Sequence, residues 1–255
     1  MRKFRGVVPS LALLLALLSA VAGCGVSAEE DDDTLTVLAA ASLTESFREI
    51  GDRFATANPE VDLRFNFQGS SMLAEQIRQG GAGDVFASAN TGMMDKVREA
   101  GAVAHGPDTF ATNRLTVVTP PDDPAGIDSF ADLARPGASA VVCAPQVPCG
   151  SAAEGVERNS GVRLRPVSEE DDVKDVLHKV TSGEADAGLV YVTDAVAAGD
   201  EVRRVDVPDA DQVTNEYPIA TLDGGGHQRL AQRFTDFVRG EEGREVLRRH
   251  GFGTP

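Results

Sequence analysis

Apolar and polar positions along this chain fall into short runs of strand character separated by stretches with helical spacing. Residues 35–41, 61–67, 84–88, 141–144 and 185–192 are compact apolar runs, while 43–57, 72–79, 93–100, 172–180 and 229–239 carry their apolar residues at helical spacing. Regular alternation of the two patterns predicts an α/β fold. Strands joined through helices run parallel and end along a common edge, and that edge is where open α/β sheets bind ligands. The stretch from Thr34 to Pro255 is long for one average domain, so two are expected, the alternative being one larger domain.

Two strand-to-helix junctions carry serine. The first is Thr34-Leu-Thr-Val-Leu-Ala-Ala-Ala-Ser-Leu-Thr-Glu-Ser-Phe47, with Ser42 at the turn, and the second is Phe65-Asn-Phe-Gln-Gly-Ser-Ser-Met-Leu-Ala-Glu-Gln-Ile77, with Ser70 and Ser71. A helix start leaves backbone N–H groups without partners and carries the positive end of the helix dipole, so each junction can hold an anion. Taken singly, each serine is equally an ordinary N-cap. Further donors are available near Val147-Pro-Cys-Gly-Ser151, at the helix start around Asp171-Asp-Val173, and at Tyr191 where a strand ends. Tyr191 alone reads as a half-buried core aromatic, and Val173 alone as a helix residue on the apolar face.

The Ala39-Ala-Ala-Ser-Leu-Thr44, Gly69-Ser-Ser71 and Gly188-Leu-Val-Tyr191 motifs together resemble the molybdate-binding proteins of bacterial ABC importers, over the chain from about Thr34 to its end. That resemblance implies a two-lobe fold like the periplasmic binding proteins, with a ligand cleft between lobes joined by two hinge crossings. It also implies an extracytoplasmic solute-binding protein, not an enzyme, that captures molybdate and tungstate and hands them to an ABC permease. By the same resemblance the ligand contacts are Ser42, Ser70, the backbone N–H groups of Cys149 and Val173, and the Tyr191 hydroxyl, with Ser71 as a possible additional donor. The family usually has a small residue where Cys149 stands.

Asn113-Arg-Leu-Thr-Val-Val-Thr-Pro120 and Asn215-Glu-Tyr-Pro-Ile-Ala-Thr221 are short, extended and flanked by polar residues, and they serve as the hinge crossings. This division gives a first lobe of residues 34–115, completed by C-terminal helices in 223–255, and a second lobe of residues 116–222. Such lobes close by hinge motion around a ligand.

Charge and cysteine usage refine the picture. The formal net charge is −16, which argues against nucleic acid as a partner and means that the overall field repels an anion. Any oxyanion site must therefore work through local donors. Molybdate and tungstate are fully deprotonated tetrahedral dianions at neutral pH, whose oxygens only accept, whereas phosphate keeps a proton. One such proton facing a donor with no acceptor costs about 1–3 kcal/mol, or roughly 10- to 100-fold in affinity. Sulfate is also a donor-free dianion, so a sulfate or other tetrahedral-oxyanion binder remains the alternative.

Residues 1–23 read as a leader: a basic opening with Arg2, Lys3 and Arg5, an apolar stretch at 7–22 too short to span a bilayer, and small residues at its end. Val21-Ala-Gly-Cys24 resembles a bacterial lipobox, which makes Cys24 the lipidated first residue of the mature chain, and two acyl chains suffice for stable anchoring. Residues 24–33, with the acidic run Glu29-Glu-Asp-Asp-Asp33, read as a flexible tether. The expectation is thus a monomer, anchored by lipid to the outer face of the cytoplasmic membrane. In an exported chain Cys143 and Cys149 favour a disulfide, aided by the turns at Pro145 and Pro148, the alternative being two free thiols.

Other chemistries find little support. His105, His178, His227 and His250 are scattered without metal-ligand spacing, and there is no Cys-x-x-Cys, so no metal ligands and no cofactor are expected. A secreted serine hydrolase using Ser42 or Ser70 lacks the Gly-x-Ser-x-Gly elbow. An iron-binding lipoprotein would have only Tyr191 and Tyr217 as phenolate ligands. Acids at Glu169-Glu-Asp-Asp172 stabilise the helix start that follows them.

Overall fold

The structure, a computed structural model, describes residues 34–255. The leader, the lipobox cysteine Cys24 and the acidic tether lie outside the described residues. The chain opens with β1 (Thr34–Ala40), α1 (Thr44–Ala57), β2 (Asp62–Gln68), α2 (Ser70–Arg78), β3 (Val85–Ala87), α3 (Thr91–Glu99) and β4 (Val103–Asn113). It continues through β5 (Leu115–Thr119), β6 (Ala140–Cys143), α4 (Pro148–Ser160), β7 (Ser168–Glu170), α5 (Val173–Thr181), β8 (Ala187–Tyr191), α6 (Val192–Ala198) and β9 (Arg203–Val205). β10 (Asn215–Leu222), α7 (Gln228–Arg239) and α8 (Glu241–Arg249) complete it.

Two five-stranded sheets result, with strand orders β2-β1-β3-β10-β4 and β7-β6-β8-β5-β9. In the first, β1 runs parallel to both β2 and β3, and β10 runs antiparallel to β3 and β4. The second repeats the plan: β6 is parallel to β7 and β8, and β5 is antiparallel to β8 and β9. Strands covered by helices on both faces must be apolar on both, and β5, β6 and β8 are buried at every position. Each sheet has its own core. That of the first is rich in phenylalanine, with Phe54 and Phe234 edge-to-face at 5.3 Å and Phe47 against Phe110 at 5.7 Å. Such pairs contribute about 0.5–1.5 kcal/mol each beyond their burial.

Both stretches expected to be hinge crossings are strands inside the sheets, because nearly every side chain in them is buried. The crossings themselves are shorter. The chain passes from the first sheet to the second at Arg114, between β4 and β5, and returns between β9 and β10. β10 pairs with β4 from its first residue and with β3 from Ile219, so by sheet membership the return precedes Asn215 instead of falling near residue 222. Among the described residues no helix is long and apolar enough to cross a membrane.

Candidate functional site

The parallel strands of both sheets end towards one another, and the loops that leave them line a small cavity of about 20 Å³. From the first sheet it is lined by Ala40, Ala41 and Ser42 at the end of β1, by Gly69 and Ser70 after β2, and by Ala89 after β3. The second sheet supplies Val147, Pro148 and Cys149 after β6, Asp171 to Val173 after β7, and Tyr191 at the end of β8. Ser42, Ser70, Cys149, Val173 and Tyr191, distant in sequence, therefore meet at one cavity. Ser71 does not line it: its hydroxyl donates to the Gln146 carbonyl at 3.2 Å, across to the second sheet.

Helix starts explain the donor character of the walls. Helix α2 begins at Ser70, two residues ahead of the apolar periodicity at Met72, because Gly69 takes the capping position with extended backbone. Helix α4 begins at Pro148, since proline suits the first helical turn, where no intrahelical N–H bond is needed. Cys149 thus stands in the first turn, where backbone N–H groups have no acceptor within the helix. Val173 opens α5, and the Asp172 carboxylate caps it by accepting from the N–H groups of Lys174 (2.7 Å) and Asp175 (3.2 Å). That capping occupies one of the two acids that line the cavity, Asp172.

A disulfide joins Cys143 to Cys149, with Cα atoms 5.6 Å apart, and ties the first turn of α4 to the end of β6. The side chain of Cys149 is therefore committed to the bridge.

Behind the cavity lies a buried polar layer that sequence reasoning missed. Ser42 Oγ is 2.9 Å from the Tyr217 hydroxyl, and Ser70 Oγ accepts from the Ala89 N–H at 3.0 Å. The Tyr191 hydroxyl accepts from Asn215 Nδ2 at 2.9 Å. Burial pushes the phenols of Tyr191 and Tyr217 well above the usual tyrosine range, so both stay protonated at any physiological pH. One signal is present in the sequence: the stretches 113–120 and 215–221 each begin with asparagine, Asn113 and Asn215.

A charged group flanks the same wall. Asp194 is fully buried; its Oδ2 accepts from the Tyr191 N–H at 3.3 Å and its Oδ1 lies 3.1 Å from Lys174 Nζ. Lys174 reaches on to Glu45 of α1, at 2.8 Å, joining the two sheets beside the cavity. Burial alone would depress Lys174, but the charges of Asp194 and Glu45 outweigh it and raise the ammonium above its usual value. Burial pushes the Asp194 carboxyl up from 3.8 to about 6 against the opposing pull of Lys174. The folded protein then holds this proton more tightly than the unfolded chain, so the contribution of Asp194 to stability falls as pH rises from about 4 to about 6. Above that window it is constant. Replacing Asp194 by Asn removes the term, so denaturation across pH should show the wild-type stability, relative to D194N, declining by about 1–3 kcal/mol through the window. A difference that grows with pH would contradict the assignment.

Among the described residues no group of three or more His, Cys, Asp or Glu side chains is placed to hold a metal ion.

Comparison with known proteins places the chain. The model of the family described as "Bacterial extracellular solute-binding protein" matches residues 35–253. The molybdate-binding protein ModA of Mycobacterium tuberculosis (strain H37Rv) is 48% identical over 222 residues, covering 87% of this chain and 85% of that protein. ModA of Escherichia coli is 33% identical, covering 93% of this chain and 94% of its own length. The periplasmic molybdate-binding protein of Azotobacter vinelandii has the same fold, with a TM-score of 0.75 over 87% of this chain and 99% of that one at 20% identity. With two helix-covered sheets facing one cavity, and a family match that spans nearly all of the described residues, the chain belongs to the bacterial extracellular solute-binding proteins.

Proposed function

We propose that the protein captures molybdate, and tungstate with it, in the cavity between the two sheets and delivers it to an ABC permease. One observation carries the reading: Ser42, Ser70, Tyr191 and the first-turn N–H groups of Cys149 and Val173 converge on a single cavity, as a donor-only site for a tetrahedral dianion requires. The relatives named as molybdate-binding proteins support the choice of ligand. Binding favours the arrangement in which both sheets contact the anion, and the permease recognises that closed form. The two lobes follow the two sheets, and no catalytic step is needed for this role. Lipid attachment at Cys24 holds the protein, as a monomer, at the outer face of the cytoplasmic membrane.

Thermal unfolding with molybdate, tungstate, sulfate and phosphate in separate samples tests the reading. Molybdate or tungstate at about a hundred times its dissociation constant should add roughly 2.7 kcal/mol and raise Tm by several degrees, with no shift from phosphate. A shift with sulfate alone would keep the site and move the function to sulfur uptake. No shift with any of them would sink the oxyanion reading.

A further inference from the structure

Serine and tyrosine hydroxyls accept hydrogen bonds as readily as they donate them, so hydroxyls lining a cavity do not by themselves make it donor-only. What decides is the polar group behind each one. Asn113 and Asn215 flank the two passages between the sheets, and both side chains are buried. Their amide orientations are set by main-chain groups. Asn113 Oδ1 accepts from the Arg114 N–H at 3.0 Å, which leaves Nδ2 to donate to Thr193 Oγ1 at 2.8 Å and to the Tyr217 hydroxyl at 3.4 Å. Asn215 Nδ2 faces the Ala89 carbonyl at 2.9 Å and the Pro148 carbonyl at 3.4 Å, which only accept, so this atom is the nitrogen and it donates to Tyr191.

We infer that Asn113 and Asn215 are the positioning residues that make the site donor-only, by filling the rear lone pairs of Tyr217 and Tyr191 so that hydroxyl protons can be given only towards the cavity. Tyr191, accepting from Asn215, has its own proton for the ligand. Tyr217, accepting from Asn113, gives its proton to Ser42 Oγ, which frees the Ser42 proton for the ligand. Ser70 needs no such helper, because the Ala89 N–H loads its oxygen directly. Each asparagine also touches both sheets: Asn215 bonds Ala89 on one side and Tyr191 and Pro148 on the other. The same bonds that hold the sheets in register therefore fix which ligands they accept, and the selection falls against anions that carry a proton.

The inference rests on the oxyanion reading above, and a double-mutant cycle on the full protein separates the two. Molybdate affinity is measured by calorimetric titration for wild type, Asn215→Leu, Tyr191→Phe and the double variant, with ligand-free thermal unfolding to verify folding. Each single substitution should weaken binding by about tenfold. If Asn215 acts through the Tyr191 hydroxyl, its loss costs little once that hydroxyl is gone, and the double variant should bind at least threefold better than the product of the single losses predicts. A merely structural asparagine gives losses that multiply, and that result overturns the inference while leaving the molybdate reading intact. A wild type that binds neither molybdate nor sulfate sinks both. Asn215→Thr replaces the leucine variant if the latter does not fold, and Asn113→Leu with Ser42→Ala forms the corresponding cycle for the other arm, judged by the same threshold.

Discussion

Gly69→Ala should leave the ligand-free protein as stable as wild type and weaken molybdate binding by about 100-fold. Gly69 has φ −54° and ψ 133°, a conformation that alanine adopts without strain, so the substitution brings no backbone strain within the first sheet. The obstacle lies opposite. A Cβ at Gly69 would stand 2.6 Å from the Asp171 carbonyl oxygen and 3.3 Å from Asp172 Cβ, both in the loop of the second sheet that leads into α5. The sheets must then part, and the Val173 N–H and Tyr191 hydroxyl withdraw from an anion held by Ser42 and Ser70. Losing two hydrogen bonds to a charged ligand at about 1.5 kcal/mol or more apiece accounts for the expected factor. Titration calorimetry with a parallel ligand-free melt is the measurement. Undiminished affinity would mean that the anion does not need both walls, and a drop in the ligand-free Tm would mean that the contact also holds the empty protein together.

Gly150→Ala should act differently, lowering stability and binding together. Its Cβ would fall 1.9 Å from the Ala144 carbonyl oxygen and 2.7 Å from that of Cys143, so the clash is with main chain and no side chain can swing away. That main chain is itself held. Val147 N–H donates to Ala144 O at 3.0 Å, Ala144 N–H donates to Glu170 O at 2.8 Å, and the Cys143–Cys149 disulfide closes the loop. Relief requires moving the first turn of α4 away from β6, at a cost of about 2–4 kcal/mol, and it carries the Cys149 N–H out of the cavity. Urea denaturation and titration of the same preparation should both show the loss. Intact stability with weak binding would place the whole effect in the ligand loop. Paired with Gly69→Ala, the substitution separates contacts between the sheets from contacts within the second one.

Much of the fold was legible because its signals are local. The apolar runs at 35–41 and 61–67 and the helical spacing at 43–57 correspond closely to β1, β2 and α1, since a strand buried on both faces and an amphipathic helix each leave a short-range pattern. Helix starts were less legible at α2 and α4, where a glycine cap and a first-turn proline extend the helix beyond its apolar face. The stretches taken as crossings have strand composition, and whether a strand ends a sheet or links two depends on partners far along the chain. The cavity residues were legible through the serine junctions and the Gly188-Leu-Val-Tyr191 motif. Ser71, adjacent to Ser70 and chemically identical, was not separable from it, because which serine faces the cavity is set by the rotation of α2 against β1 and β3.

The sequence by itself determined the α/β class, the strand-to-helix junctions that bear Ser42 and Ser70, and the need for local donors in a chain of net charge −16. These follow from periodicity, capping chemistry and charge, which act over a few residues or over the whole chain at once. Only the tertiary structure decided that Tyr217 stands behind Ser42, that Asn215 stands behind Tyr191, and that Lys174 joins Asp194 to Glu45. A buried polar group must find its partner wherever the fold brings one, at separations from 20 to 175 residues among these pairs. Such pairings are properties of packing, and no pattern along the chain encodes them.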